Sequence, residues 1–263
     1  MGTNVKLWLL AAITALFFIQ LISCKKESTE TLSAERAVDK EEVEAAVLND
    51  KLVAWYTFNG DILDHSGNSN NIDYNTATTA TGKNGKPNTA YLFNGTSSYM
   101  SVPNSPSLNP PAGITLAALF KPTDYYFDLG FASRILMKGV DDQSNGDYFL
   151  GFYNTGIAYG TYGDNQYESN GVSSGENAIK LNKWYKMVYT YNGNIGKLYI
   201  NGVLVNRSEK KAVFTPNDDI LRIGTTGRPD YPYWFNGVID EIRIYNSALT
   251  PVQVLKVTNA LGK

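Results

Sequence analysis

Residues 235–246 read FNGVIDEIRIYN: branched or aromatic side chains at most positions, interrupted by one adjacent pair of acids, Asp240 and Glu241. Such side chains fit a pleated, half-buried surface, so the run reads as a strand. With a period of two, Val238, Asp240, Ile242 and Ile244 share one face, and Ile239, Glu241, Arg243 and Tyr245 share the other. On that reading Asp240 points with the aliphatic set. A carboxylate there costs several kcal/mol unless it meets a cation, a metal or a fan of backbone donors. Three roles are open to it: catalytic acid, salt-bridge partner or metal ligand.

The same texture extends upstream to Lys51. LVAWYTF, AYLFNG, YMSV, ITLAALF, RILMKG, YFLGFY, IAYGTY, KWYKMVYTY, KLYINGVLVN, AVFT and LRIG are short alternating runs separated by Gly, Asn, Pro and Ser, and each reads as a strand. Asn201-Gly202 between two of them is a two-residue hairpin signal, because both positions need positive φ. A helical period is confined to LTPVQVLKV near the end, with Thr250 as cap and Pro251 in the first turn. About a dozen strands at these intervals predict an all-β, two-sheet antiparallel sandwich over residues 51–263.

The N-terminal part differs. KLWLLAAITALFFIQLISC, Lys6 to Cys24, is a basic residue followed by an apolar stretch of roughly fifteen residues, too short for a membrane span and suited to a secretory signal. Its end, Leu21-Ile22-Ser23-Cys24, resembles a bacterial lipobox, which implies cleavage after residue 23 and lipidation of Cys24. Cys24 is the one cysteine in the sequence, so no disulfide is available to the fold. Residues 24–50 form a charged segment without aromatics or glycine that cannot bury enough to fold alone, and read as a flexible tether. Its acids resemble the segment after the cysteine in surface-exposed bacterial lipoproteins, which implies a lipid-anchored protein of the outer membrane and cell surface.

LVAWYTFNGDILDHSGNSNN, AYLFNGTSSYMSVPNSPSLNPPAGITLAALFKP, LNKWYKMVYTYNGNIGKLYINGVLV and FNGVIDEIRIYNSALTPVQV, in this order, resemble the successive motifs of laminin-G-like, concanavalin A-like jelly-roll domains. The resemblance implies a jelly-roll sandwich of the lectin and glucanase type. That fold hosts lectins, carbohydrate-binding modules, adhesion modules and glycosidases, so it does not fix the function. Glycosidases of the superfamily carry a spaced Glu-x-Asp-x-Glu set on one strand, which the chain lacks. Asp240 and Glu241 are adjacent and point to opposite faces, so they cannot flank one glycosidic bond. Asp141-Asp142 and Asp218-Asp219 read as turn carboxylates. The chain is therefore expected not to be an enzyme.

The resemblance also implies a structural calcium ion between the first loop and the last strand, with Asp240, Asp64 and Asp61 as ligands. The alternative is that Asp64 closes a turn onto Ser66 and Gly67 while Asp240 meets an arginine such as Arg222. His65, the single histidine, reads as a solvated turn residue. Aromatics left over from strand alternation collect in three loops: Tyr125 and Tyr126, with Phe127; Tyr162 and Tyr167; and Tyr231, Tyr233 and Trp234. Sugar rings stack on such rings while neighbouring Asp, Asn and Gln bond their hydroxyls, so these are the candidate ligand-binding residues. Trp55 and Trp184 read as core. A polysaccharide or glycoconjugate is the expected partner, with a surface or matrix protein as the alternative. A net charge of -2 with no basic stripe excludes nucleic acid.

The lipid expectation has a direct check. Metabolic labelling with a fatty acid should mark the wild-type chain and leave Cys24→Ala unlabelled; equal labelling of both would overturn it.

Overall fold

The structure, a computed structural model, describes residues 48–126, 133–139, 147–163 and 171–263. By its contacts the chain divides between Asp50 and Lys51, and every strand belongs to the unit Lys51–Lys263. In chain order they are β1 (Leu52–Tyr56), β2 (Tyr74–Asn75), β3 (Thr78–Ala80), β4 (Ala90–Asn94), β5 (Met100–Val102), β6 (Ile114–Pro122), β7 (Ser133–Lys138) and β8 (Asp147–Phe152). They continue as β9 (Ala158–Gly163), β10 (Val172–Ser173), β11 (Tyr185–Tyr191), β12 (Ile195–Ile200), β13 (Val203–Glu209), β14 (Leu221–Ile223) and β15 (Asn236–Tyr245). A helix, α1 (Pro251–Ala260), closes the chain.

These strands make two antiparallel sheets. One runs β13-β12-β11-β6-β15-β4-β3, with β1 also on β15; the other runs β10-β9-β8-β7-β14-β5-β2. The inner faces share one core, with Leu116, Ala118, Phe120, Ile239, Ile242 and Ile244 from the first sheet against Met100, Leu136, Tyr148, Leu150, Phe152 and Ile223 from the second. Phe120 and Phe152 stack at 5.8 Å, and Phe235 meets both edge-on at 6.1 Å. Each such buried ring stabilises the sandwich by about 1.5–3 kcal/mol. The chain is thus an all-β jelly-roll sandwich, as expected.

Most of the sequence-predicted elements are present. Asn201 and Gly202 take φ of 52° and 83° in the β12–β13 hairpin. Thr250 caps α1 through a reciprocal pair: its hydroxyl accepts from the Gln253 N–H and the Gln253 side chain accepts from the Thr250 N–H. AVFT, residues 212–215, forms no strand; Ala212 and Phe214 pack on the core edge instead. The short β2, β3 and β10 escape a reading of the sequence, because two or three residues carry no readable period. Trp55 and Trp184 are half-buried rather than core, and Trp184 lies just outside β11 under the Lys121 ammonium, 5.3 Å away.

The expected face of Asp240 is also corrected. β15 pairs with β6 along its length, and the register slips between Ile239 and Glu241, so that Ile239 faces Phe120 and Glu241 faces Leu119. Asp240 is the extra residue of a β-bulge, which reverses the parity of everything beyond it. Ile239, Ile242 and Ile244 therefore share the core face, while Val238, Glu241, Arg243 and Tyr245 lie on the other. At the same point the second neighbour of β15 changes from β4 to β1. Asp240 is only 5% exposed, yet its partner is a backbone donor: the Lys83 N–H gives a 2.6 Å bond to Oδ2 from the turn that follows β3. Arg222, expected as its cation, belongs to the other sheet and donates to the Gly139 carbonyl.

Glu241 does different work on the outer face. Its Oε1 accepts from the Trp55 indole at 2.8 Å and from Arg243 Nε at 2.7 Å, and Oε2 accepts from the Gly262 N–H at 2.8 Å. The Arg243 guanidinium lies 4.6 Å above the Trp55 ring. Lys186 donates to the Thr258 carbonyl at 2.6 Å, so α1 and the C-terminal turn are tied to this sheet by two charged side chains.

The two acids should respond oppositely to neutralisation. Glu241→Ala leaves the half-buried Arg243 charge without its carboxylate, and should cost about 3 kcal/mol or more, about 10 °C in melting temperature. Burial is the largest influence on Asp240 and pushes its carboxyl above the usual carboxylate range, against the Lys83 N–H; the Glu241 charge adds to the rise. A raised acid lends stability below its ordinary pKa and loses it as the pH climbs through the raised value. Asp240→Asn, which keeps an acceptor for Lys83, should melt at or above wild type at neutral pH, the gap closing as pH falls into the carboxylate range. A lower melting temperature at neutral pH would contradict this.

Candidate functional site

The second sheet turns one face to the core and the other away from it. Across β2, β5, β14, β7, β8 and β9 the register aligns Tyr74, Ser101, Arg222, Met137, Phe149 and Thr161 on that second face. The β14–β15 connection, residues 224–235, folds back over part of it. Thr225 and Thr226 brace the connection, their hydroxyls donating to the Pro232 and Tyr231 carbonyls at 2.8 and 2.7 Å. A side chain at Gly227 would collide with the Arg222 guanidinium, so glycine lets the loop lie down on the sheet. The Tyr233 carbonyl accepts the Arg134 N–H at 2.9 Å and sews the loop to the start of β7.

Tyr233 itself has φ of 45°, in the left-handed region that a bulky side chain rarely occupies. The conformation sets its ring over the Arg134 guanidinium at 4.9 Å; Phe149 covers the same guanidinium at 3.9 Å. Tyr126 meets Tyr233 edge-on at 6.1 Å, and Tyr231 lies 6.2 Å from it with the Arg228 guanidinium 4.9 Å above. Behind Phe149 the row continues through Tyr159 at 5.4 Å to Tyr153 at 5.7 Å. Tyr159 fits because Gly171 has no Cβ for its phenol end to strike. The result is a rim of rings with two guanidinium groups between them, at the loop end of a rigid sheet.

The structure thus gathers three of the residues expected to bind ligand, Tyr126, Tyr231 and Tyr233. Tyr126 and Tyr231 are half-buried and can present a ring, whereas Tyr233 is 6% exposed and serves as their backing. Tyr125 is a tether instead: its hydroxyl donates to the Ile179 carbonyl at 2.9 Å and its ring packs on Phe152. Tyr162 is corrected outright. At 1% exposed it is a core residue of β9, stacked on Phe214 at 4.7 Å with its hydroxyl on the Pro110 carbonyl. Trp234 turns away from Tyr233 toward Tyr99. Tyr167, Phe127, Asp141, Asp142 and Cys24 lie outside the described residues. Sequence reasoning missed Arg134, although an arginine directly before the apolar Ile135-Leu136-Met137 run was a signal.

The three acids expected to bind calcium are not brought together: among the described residues no group of three or more His, Cys, Asp or Glu side chains is placed to hold a metal ion. Asp64 is occupied by the chain itself. Its Oδ1 accepts from the Trp55 and Ser66 N–H groups at 2.9 Å, and Oδ2 accepts from the Ser66 hydroxyl at 2.8 Å and the Asn70 N–H at 2.9 Å. Four donors use the four lone-pair positions of a carboxylate, leaving little for an ion. Asp61 accepts from the Leu63 N–H and from His65 Nε2, each at 3.1 Å, in an exposed turn.

A sequence profile of the concanavalin A-like lectin/glucanases superfamily, of the laminin-G type, matches residues 94–255, more than half of the chain. The chain belongs to this superfamily. No curated protein matches it. Among solved structures, the binding domain of Paraclostridial Mosquitocidal Protein 1 is similar at 20% identity and a TM-score of 0.65, over 81% of this chain and 53% of that one. Botulinum neurotoxin type C, whose cell entry depends on two ganglioside molecules, gives 14% identity and a TM-score of 0.64, over 83% of this chain and 53% of that one. Domain 4 of a GH43 extracellular arabinanase from Geobacillus stearothermophilus, in complex with arabinotriose, gives 24% identity and a TM-score of 0.58, over 79% of this chain and 98% of that one. The chain thus spans about half the length of the two toxin structures and nearly all of the arabinanase domain. At these identities the likeness is one of fold, the jelly roll of this superfamily.

The Asp64 turn supplies a check on the metal question. Asp64→Ala strips four donors of their acceptor and should cost about 2 kcal/mol. The loss should be the same in chelator and in excess calcium. A melting temperature of the wild type that rises with calcium, and fails to rise in Asp64→Ala, would show that the loop holds the ion.

Proposed function

We propose that this protein is a non-catalytic glycan-recognition module, displayed at the cell surface by a lipid on Cys24. The observation that carries the reading is the convergence of Tyr126, Tyr231 and Tyr233 on Arg134 and Arg228 at the loop end of the second sheet. Half-buried rings offer flat apolar surface to the C–H faces of a sugar, and the half-buried Arg228 can donate to its hydroxyls, while Arg134, 5% exposed between Phe149 and Tyr233, backs the rings. Loops braced on a rigid sandwich hold such groups in place before the ligand arrives, which lowers the entropic cost of binding. The arabinanase domain, matched over 98% of its length and holding arabinotriose, supports glycan as the ligand class. The mosquitocidal protein structure is a binding domain and the type C neurotoxin depends on gangliosides for cell entry, which supports a role in recognition rather than turnover.

The acids of β15 support the absence of catalysis. Asp240 is committed to the Lys83 N–H and Glu241 to Trp55, Arg243 and Gly262, both at 5% exposure. Neither can reach a glycosidic oxygen, and as neighbours on a bulged strand they cannot act as an opposed pair.

The test is a panel of immobilised plant, host and bacterial polysaccharides, followed by calorimetry on whatever retains the protein. Affinity is expected in the roughly micromolar to millimolar range. Tyr126→Ala and Tyr231→Ala should each weaken it by about tenfold with an unchanged melting temperature. No reducing sugar should be released on long incubation. Retention by no polysaccharide, with capture of a surface protein instead, would replace this reading with protein adhesion.

A further inference from the structure

Trp234 does not join the rings around Arg134, and what it joins has no part in the site above. Its ring lies 6.2 Å from Tyr99, which lies 5.0 Å from Tyr74, at interplanar angles of 47° and 35°. The three rings form an unbroken strip at the β2 edge of the second sheet, and the outermost, Tyr74, is 47% exposed. Tyr99 and Trp234 are half-buried, so the strip shows solvent one open ring and parts of two others.

The strip is held rigidly. Thr76 and Tyr99 exchange hydrogen bonds: the Thr76 N–H donates to the Tyr99 carbonyl at 3.0 Å, and the Tyr99 N–H donates to the Thr76 hydroxyl at 3.0 Å. Asn94 Oδ1 gathers the N–H groups of Thr96, Ser97 and Ser98, which fixes the turn leading to Tyr99. Trp234 is fixed from the other side by the Phe235 N–H on the Gly224 carbonyl at 3.0 Å. These bonds hold in place the backbone that carries the three rings, which stand tilted by 35° and 47° to one another, in the absence of a ligand.

The polar groups beside the strip decide what it accepts. Asp73 uses Oδ1 for the Ser101 hydroxyl at 2.9 Å and exposes the rest of its carboxylate. Arg222 aligns with Ser101 and Tyr74 in the register and makes one long bond, 3.5 Å to the Gly139 carbonyl. Burial is the main influence holding the Tyr99 phenol up; Tyr74 adds to it, and the charges of Arg222 and Asp73 act on it in opposite directions. Asp73 stands beside the strip and Asp219 acts on Arg222, so two carboxylates flank one guanidinium and an anionic ligand is disfavoured. Hydroxyl groups, which donate to Asp73 and accept from Arg222, satisfy both.

We propose that Tyr74, Tyr99 and Trp234 form a second subsite, continuous with the first through the Tyr233–Trp234 peptide bond, that takes further residues of one neutral polysaccharide chain. The inference rests on the glycan reading of the first site. Consecutive rings offer consecutive stacking positions, so the subsite adds affinity only for a ligand long enough to cover both, by raising the effective concentration of its far end. The module therefore reads the interior of a polymer and not its terminus.

The experiment compares wild type, Tyr74→Ala, Tyr99→Ala and Tyr99→Phe in gels containing arabinan, xylan, galactan, mannan or β-glucan. Calorimetry then uses the trisaccharide and hexasaccharide of the polymer that retards the wild type. The hexasaccharide should bind wild type at least about fivefold more tightly than the trisaccharide. Tyr74→Ala and Tyr99→Ala should lose that difference while binding the trisaccharide as wild type does; Tyr99→Phe, which keeps the ring, should retain it. Melting curves separate loss of the subsite from loss of the fold, and a variant that melts early is replaced by Tyr74→Ser, which removes the same exposed ring. If the polymer retards wild type and all variants equally, the second subsite is overturned and the first stands. If no polymer retards wild type, both are overturned.

Discussion

The sandwich depends on one strand. β15 pairs with β6 over its whole length, and on its other side with β4 and then β1, so the N-terminal strand, the middle of the chain and its end are joined through ten residues. No single neighbour could satisfy that other edge, because β4 and β1 each cover only part of it. The change of neighbour falls at the Asp240 bulge, where an extra residue leaves the ladder and reverses the alternation. Without the bulge, Ile239 would lie on one face and Ile242 and Ile244 on the other, and half of the strand would turn its apolar side outward. The acid pair is the local chemistry of this device. Asp240 occupies the gap and accepts the Lys83 N–H, and Glu241, the first residue after the slip, faces outward to organise Trp55, Arg243 and the C-terminal turn.

A second irregularity places the loop rings. The left-handed backbone at Tyr233 sends two consecutive aromatic side chains to different neighbours, Tyr233 to Arg134 and Trp234 to Tyr99. An extended strand would also have separated them, but to opposite faces of one sheet, with one ring in the core. Here the core position is filled by Phe235, against Phe120 and Phe152, and the two preceding rings go to different neighbours outside the core. Strain of this kind, of order 1–3 kcal/mol, persists because the Thr225, Thr226 and Arg134 hydrogen bonds over-determine the loop. The fold thus separates its rings: the inter-sheet phenylalanines supply stability, and the loop rings stay outside that core.

The sequence by itself determined the class of fold. The alternation in each run, the Asn201-Gly202 turn and the Thr250-Pro251 helix start are local properties, governed by φ, side-chain branching and hydrogen bonds within a few residues, and the turn and the helix start both stand where the sequence puts them. It also located two of the loops that carry aromatic rings, since Tyr126, Tyr231 and Tyr233 lie just beyond Pro and Asp residues that break the alternation. What the sequence could not carry was the parity of β15 beyond Asp240, because a bulge depends on which strands lie alongside and not on the strand's own residues. For the same reason Tyr162, a loop ring by its local sequence, is core: its partners Phe214 and Pro110 are about fifty residues away in either direction. Tyr74 and Tyr99 come to one surface only through the β2–β5 pairing, and Arg134 meets Tyr233 only through the return of the β14–β15 loop. Tertiary structure alone decided these, because a side chain's neighbours across a sheet edge or under a folded loop are set by long-range packing, to which local periodicity is blind.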